Sequence, residues 1–327
     1  MLSKIVIKRL FNLYNYNIDL TNADGGLVKF ITAPNGYGKT TILNFINDVM
    51  IEEYSSLFVT PFDEFIMTYN ESNSDSQNVI SIKKSVINED SQEESDEIAI
   101  KSTNLQISLS KINGDTESLI EKFSLAKNAD GTKTKEGSSD NIDMFFAPRT
   151  CHYITDSRLM RVKTDRLSGN TDFDSISLKV YARQLKDILN NPEQKKKHEK
   201  QIETFQTVID RCDYANKRME IDERYGFRFV AKDKIETKLS LNNLSSGEKH
   251  MIIQVFEMLF RALEGTIVLI DEPELSLHMI WQMNYLKNLE EILRVRHFQC
   301  IVATHSPQIF NSMWSKSVDL YTLSKEE

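Results

Sequence analysis

Residues 33–41 read APNGYGKTT. Their types and spacing suit one task, gripping a phosphate. Gly36 and Gly38 lack a Cβ, so the backbone can curl and aim successive N–H groups at one anion. An apolar helical pattern follows (Ile42, Leu43, Phe45, Ile46). A helix starting near Lys39 adds the partial positive charge of its N-terminus. The apolar piece Phe30-Ile31-Thr32 precedes the loop, so the local order is strand, loop, helix. Lys39 is placed to reach the β- and γ-phosphates of a nucleotide, and Thr40 to ligate Mg²⁺. Ala33 stands where the pattern GxxxxGK[ST] has its first Gly. Taken alone, the stretch also reads as a Gly-rich turn before an ordinary helix.

A second group of chemical residues lies near the other end. Residues 241–251 read LNNLSSGEKHM, and Ser245 is by itself a helix-cap candidate. Residues 266–273 read TIVLIDEP. Their apolar run predicts a buried, parallel-type strand, with Asp271 and Glu272 at its C-terminal end, the edge where open α/β sheets bind ligands. Asp271 is expected to hold Mg²⁺ together with Thr40, and Glu272 to take a proton from the attacking water. Burying two adjacent carboxylates unpaired is costly, which argues against a core accident. Residues 300–304, CIVAT, predict another buried strand, ending in His305-Ser306-Pro307. A lone His there is structural more often than not, but beside a γ-phosphate it can sense phosphate and water.

The elements that must position these residues follow from hydrophobic periodicity. Residues 4–20 alternate apolar and polar with a break near Asn15, predicting two antiparallel strands. Residues 22–26 form a turn, 27–32 the strand feeding the loop, and the helix after Lys39 ends near Met50. Residues 71–97 are rich in Ser, Asn, Asp and Glu and are expected to form a flexible excursion or exposed hairpins. Residues 98–112 alternate and predict a strand. Asp130-Gly131 and Gly137-Ser138-Ser139 mark 129–140 as loop. These strands would make an antiparallel lobe beside the nucleotide loop. Residues 151–160 predict a buried strand, with Arg158 just past it as a candidate partner for a phosphate or a carboxylate. Residues 178–222 predict charged helices interrupted at Asn191-Pro192, with heptads too short for a long coiled coil. Arg161, Lys163, Arg166, Lys195, Lys196 and Lys197 could face DNA, but acidic neighbours favour a solvated helical face.

With 327 residues, 40% of them hydrophobic, the chain can bury one large core or two. A net charge of −8 argues against a uniformly basic nucleic-acid binder. Cys151, Cys212 and Cys300 are far apart, without metal-ligand spacing, and are expected to be reduced thiols of a cytoplasmic protein. No apolar run reaches the length of a membrane span, and the first residues do not read as a signal peptide.

Taken in order, the motifs resemble an ABC-type ATPase. APNGYGKT is similar to Walker A, LSSGEK to the ABC signature, LIDEPE to Walker B with its catalytic Glu, SLH to the D-loop and THS to the switch His. The forms LSSGEK and LIDEPELSLHMIWQ resemble the RecF/SMC/OLD-like (AAA-annotated) group rather than transporter subunits. The resemblance covers the N-terminal strands and loop and residues 225–327. It implies an α/β fold: a P-loop NTPase with ABC-ATPase head architecture, a mixed sheet flanked by helices, an antiparallel β lobe and a helical insertion. Three parts are expected: 1–150 with Walker A and the lobe, 151–224 as the helical insertion, and 225–327 with the signature, Walker B and the switch His.

The resemblance also assigns roles. Asn35, Gly36, Tyr37, Gly38, Lys39, Thr40 and Thr41 would cradle the phosphates of ATP. Thr40 and Asp271 would hold Mg²⁺, with Lys39, Glu272 as general base, and His305 as the catalytic set. Ser245, Ser246, Gly247 and Glu248 would cap ATP bound to a second copy, giving a homodimer with composite sites. OLD-type nucleases carry a Toprim domain after the ATPase. The residues after His305 are too few for one, and no HEXXH, HNH-like motif or second carboxylate cluster stands elsewhere. The expected effector, a nuclease or toxin, is therefore a separate chain, as in small ATPases of bacterial anti-phage defence, with DNA or a phage-derived molecule as candidate trigger. The alternative is a RecF-like DNA-repair clamp. A transporter subunit fits the signature form poorly, and a non-hydrolysing scaffold fits poorly with an intact Glu272.

Overall fold

The alternation at the N-terminus pairs with itself. Strand β1 (Leu2–Leu10) runs antiparallel to β2 (Tyr14–Asp19), with Lys4 opposite Asp19 and Ile7 opposite Tyr16. The turn falls at Phe11–Leu13, with Phe11 and Asn12 in the left-handed region, just before the expected break. The protein is described by a computed structural model covering residues 1–70, 76–88, 100–128, 130–137, 151–155, 173–212, 214, 216–232 and 237–325. It divides into two compact units, Met1–Cys151 with Ser317–Glu327, and His152–Lys316.

In the first unit, β1 and β2 belong to a seven-stranded antiparallel sheet. It adds β4 (Glu64–Asn70), β5 (Ser76–Asn88), β6 (Ile100–Asn113), β7 (Thr116–Asn128) and β8 (Lys133–Glu136) in the order β2-β1-β4-β5-β6-β7-β8. One face buries Phe65, Met67, Ile80, Ile82, Leu105, Ile107, Leu109 and Phe123. Of the two expectations for 71–97, a flexible excursion or exposed hairpins, strand β5 follows the second in its antiparallel pairing, though with a buried row. Residues 76–88 are a strand paired on both sides, with β4 and with β6. Its backbone groups are satisfied on both edges, so short polar residues such as Ser76 and Asn78 are tolerated in its buried row. Residues 71–75 and 89–97 lie outside the described residues.

The same unit holds β3 (Val28–Thr32), wholly buried, then α1 (Lys39–Ile51) and the short α2 (Ser55–Val59). Helix α1 buries Ile42, Leu43, Phe45, Ile46, Val49 and Met50. Phe45 packs against Phe62 and Phe65, at centroid distances of 5.1 and 5.2 Å. Strand β15 (Ser317–Asp319) lies parallel to β3, with Ser317 opposite Phe30, and runs into the one-turn helix α8 (Leu320–Leu323).

The second unit opens with β9 (Cys151–Ile154) and three helices, α3 (Phe173–Asn190), α4 (Pro192–Lys197) and α5 (Glu199–Arg211). Asn191 caps α4 through bonds from the N–H groups of Glu193 and Gln194, with Pro192 at the first helical position. The expected helical run over 178–222 stops short. Residues 217–222 form β10 (Lys217–Asp222), paired antiparallel with β11 (Gly226–Ala231), and β12 (Lys238–Leu239) follows at its other side. The carboxylate of Asp222 accepts from the N–H groups of Arg224 and Tyr225 and turns the chain. Gly226 has φ +78°, and a Cβ there would stand 1.8 Å from the carbonyl oxygen of Ala182. That turn chemistry overrides the helical propensity of KRMEID.

Helix α6 (Ser246–Phe256) continues into a π-helical turn, Glu257–Arg261, ahead of β13 (Ile267–Asp271). After β13 come α7 (Met279–Val295) and β14 (Gln299–Thr304). Strands β13 and β14 pair parallel, and β9 lies beside β13. Phe205, Phe227, Phe256 and Phe260 form an aromatic core with neighbouring centroids 4.6–5.9 Å apart. Of the basic residues read as a candidate DNA patch, Arg161, Lys163 and Arg166 lie outside the described residues, as does Arg158. Lys195 is paired with Glu223 at 2.8 Å, in the manner of a solvated helical face.

Candidate functional site

The phosphate-binding candidate is built by β3 and α1. Five of the six residues between them are small or turn-forming, and Gly36 and Gly38 take φ values of +89° and +88°. A Cβ on Gly36 would meet nothing within 4 Å. On Gly38 it would stand 2.7 Å from Leu10 Cδ2 and 3.3 Å from Phe11 Cε2. Gly38 is also the N-cap of α1, so no side chain closes the helix end and no acidic residue sits in its first turn. This leaves an electropositive N-terminus available to an anion. Lys39 is buried, and its Nζ donates to the carbonyls of Ala33 (2.9 Å) and Pro34 (3.3 Å). The cation is thus folded over its own loop, where its contacts are exchangeable for phosphate oxygens. Asn35 and Gly36 are exposed, and Thr40 and Thr41 are half-buried.

The middle of the loop is held by aromatic side chains that the motif did not announce. Tyr16 donates its hydroxyl to the carbonyl of Tyr37 at 3.0 Å. The Tyr37 ring stacks on Tyr14 at 5.2 Å and meets Tyr321 edge-on at 5.6 Å. Burial, then the nearby Tyr14 and Tyr37 hydroxyls and Asp319, push the Tyr16 phenol up, so it stays a donor. The alternation of β2 placed Tyr14 and Tyr16 on one face, which was the available signal. Tyr321 arrives from the far end of the chain and gave none.

In the second unit, the carboxylates and the histidine meet at the ends of two parallel strands. Asp271 is opposite Ala303, and the N–H of Glu272 donates to the Ala303 carbonyl at 2.9 Å. Asp271 is buried and Glu272 half-buried. Glu272 adopts φ +46°, ψ 54°, a left-handed conformation that costs a non-glycine residue about 1–3 kcal/mol and clusters at functional positions. His305 lies one residue past β14 with a half-exposed ring. Its backbone N–H and Nδ1 both face Glu274 Oε1, at 2.7 and 3.0 Å.

Ser245 is the N-cap of α6, in a reciprocal capping box. Its hydroxyl accepts from Glu248 N–H at 3.3 Å, and Glu248 Oε2 accepts from Ser245 N–H at 2.7 Å. Ser245 and Ser246 are exposed while Gly247 is buried. Glu248 was expected among the nucleotide-binding residues. Its carboxylate is buried and also takes Lys217 Nζ at 2.7 and 2.8 Å, which anchors the helix end.

Mg²⁺ prefers oxygen donors, keeps several waters and takes few protein ligands. The Thr40 hydroxyl in the first unit and the Asp271 carboxylate in the second are each oxygen donors of that kind. Among the described residues no cluster of three or more His, Cys, Asp or Glu stands ready to hold a metal. The three cysteines are free thiols, with Cys212 and Cys300 buried. Among the described helices, none is long and apolar enough to cross a membrane.

A strand, a glycine-rich loop with two positive φ angles and an uncapped helix define a P-loop type of phosphate cradle. The chain belongs to the family described as "AAA domain, putative AbiEii toxin, Type IV TA system", whose profile matches residues 34–311. It is 37% identical over 97 residues to "Retron Ec83 probable ATPase" of Escherichia coli, covering 26% of this chain and 18% of that one. It is 34% identical over 95 residues to "Retron Vc95 probable ATPase" of Vibrio cholerae serotype O1 biovar El Tor, with the same two shares. The matched segment thus spans about a fifth of these relatives' length. Among solved structures, a SmcHead bound to the C-winged helix domain of ScpA matches 94% of this chain and 90% of that chain, at 15% identity and a TM-score of 0.46.

Proposed function

We propose that the chain is an ATPase subunit that binds ATP with Mg²⁺ and dimerises head to head around the nucleotide. In this reading it controls a separate effector in anti-phage defence. The observation that carries the proposal is the phosphate cradle at 33–41 within a family match that runs on through the signature, Asp271-Glu272 and His305. The likeness to two retron probable ATPases supports the defence setting.

Each residue has a task. Backbone N–H groups from Asn35 to Thr41 receive the phosphates, and Lys39 turns from its carbonyls to the β- and γ-phosphate oxygens. Thr40 and Asp271 hold Mg²⁺, which when bound neutralises developing charge on the phosphates. Glu272 accepts the proton of the attacking water, and its left-handed backbone is the costly kind of conformation that clusters at functional positions. His305 contacts the γ-phosphate. Ser245, Ser246 and Gly247 close over ATP held by the partner copy.

The test is steady-state ATP turnover of the full chain against Glu272→Gln. The variant should bind ATP as the wild type does, lose turnover by about 100-fold or more, and accumulate as an ATP-bound dimer. Equal turnover by both proteins would remove Glu272 from its role.

A further inference from the structure

Glu274 is two residues beyond the proposed general base, and it is among the most buried carboxylates of the second unit, with a side chain 3% exposed. Among the described residues no Lys or Arg pairs with it. Two hydrogen bonds from one short stretch converge on its Oε1 instead, from Thr304 Oγ1 at 2.6 Å and the His305 backbone N–H at 2.7 Å, and His305 Nδ1 stands 3.0 Å from the same oxygen. Its Oε2 is buried with no hydrogen-bond partner among the described residues. One oxygen therefore does all the bonding, and every one of those bonds is to the end of β14 and the histidine that follows it.

The surroundings make this arrangement stiff. Gln282 of α7 donates to the carbonyls of Glu274 (3.4 Å) and Leu277 (3.0 Å), while its Oε1 accepts from Ser306 Oγ at 2.8 Å. One side chain thus ties the segment after β13 to the segment after β14. A neutral imidazole carries one N–H, and a carboxylate 3.0 Å from Nδ1 holds the proton there. On this half-exposed ring, Nε2 is then the nitrogen that Glu274 does not engage.

We infer that Glu274 is a positioning residue for His305: it fixes the tautomer and the direction of the ring, so that Nε2 is the atom offered to the reacting phosphate and its water. This rests on the reading of His305 as the γ-phosphate contact. The arrangement follows the logic by which a buried carboxylate orients a catalytic histidine. A purely structural role, tying down the strand end through Thr304 and the backbone N–H, predicts something different from loss of the carboxylate.

The experiment uses the full chain with ¹⁵N-labelled histidine, and His305→Ala identifies the His305 signals among the six histidines. Wild-type His305 should show the Nδ1–H tautomer, and Glu274→Gln should shift it to Nε2–H. The same variant should lower kcat for ATP by about tenfold or more with KM changed by less than about twofold, the range seen when a residue behind a functional histidine is lost. In a His305→Ala background, Glu274→Gln should add no further loss. Thr304→Val removes one donor from the same oxygen and keeps the carboxylate. It should retain the wild-type tautomer and serves as the control for packing.

Unmoved His305 signals in Glu274→Gln would overturn the inference. So would an equal loss of rate from Glu274→Gln with and without His305, or the same tautomer change in Thr304→Val. If His305→Ala hydrolyses ATP like the wild type, the role given to His305 falls, while the tautomer in Glu274→Gln still decides whether Glu274 orients the ring.

Discussion

Lys39 and the two loop glycines make separable demands on the phosphate cradle. Lys39→Ala removes the one buried cation of the loop, and a calorimetric titration should then detect no ATP binding while the melting transition persists. Gly36 and Gly38 share nearly the same positive φ, but their surroundings differ. At Gly36 an added Cβ meets open space, so Gly36→Ala should cost only the backbone term, about 1–2 kcal/mol. At Gly38 the same strain is joined by a contact of 2.7 Å to Leu10 Cδ2, so Gly38→Ala should be the less stable of the two in urea unfolding. Equal losses would mean that Leu10 yields without cost. The absent first Gly of the motif has a local account too: Ala33 is buried and offers its carbonyl to Lys39, and it does not appear among the residues with positive φ.

At the level of elements, two ends of one helix invite measurement. Ser245→Ala opens the capping box of α6 and should cost about 1 kcal/mol in chemical denaturation. At the other end, Glu257 begins the π-helical turn, facing His152 at 2.8 Å, the Tyr181 hydroxyl and Arg261 at 3.3 Å. Burial alone would raise its carboxyl, but the bonds from His152 and Tyr181 prevail and hold it below its ordinary value of 4.5. The folded state therefore gives up this proton more readily than the unfolded chain. The stability this provides is complete above pH 4.5 and is lost as pH falls through the folded value. Glu257→Gln should be less stable than wild type by about 1–3 kcal/mol at pH 7. The gap should narrow as both are titrated below pH 4.5, and a gap that stays constant would show that the charge is not what matters. The elements around the cradle were legible because they are strongly patterned: β3, β13 and β14 are short apolar runs, and each ends in the residues that carry chemistry. The buried row of strand β5 was not legible, since Ser76 and Asn78 fill buried positions that are affordable only with a neighbour strand on each side. Strand β10 was hidden by charge, and its turn depends on how closely Gly226 approaches Ala182. Glu274 looked like one more acid of DEPE, because its partners stand 30 residues away in sequence.

For the whole molecule, the proposed composite site can be tested by mixing two broken copies. In a head-to-head dimer each nucleotide has the loop of one copy and the signature of the other, so the two defects can be placed on different sites. Lys39→Ala spoils a loop and leaves a signature intact. Ser246→Arg puts a bulky cation at the exposed first position of α6 and leaves the loop intact, so that variant should still bind ATP. Neither alone should hydrolyse it, since every site in either homodimer lacks one half. In an equal mixture with random pairing, half of the dimers contain one copy of each kind, and each of these has one whole site and one doubly broken site. Turnover should return to about a quarter of the wild-type level for independent sites in a symmetric dimer. Because ATP bound across an interface stabilises the assembly by mass action, the mixed dimer should also form more readily with ATP than without it, which light scattering reads directly. A mixture no more active than its two components would place loop and signature in the same copy, and the head-to-head arrangement would have to be given up.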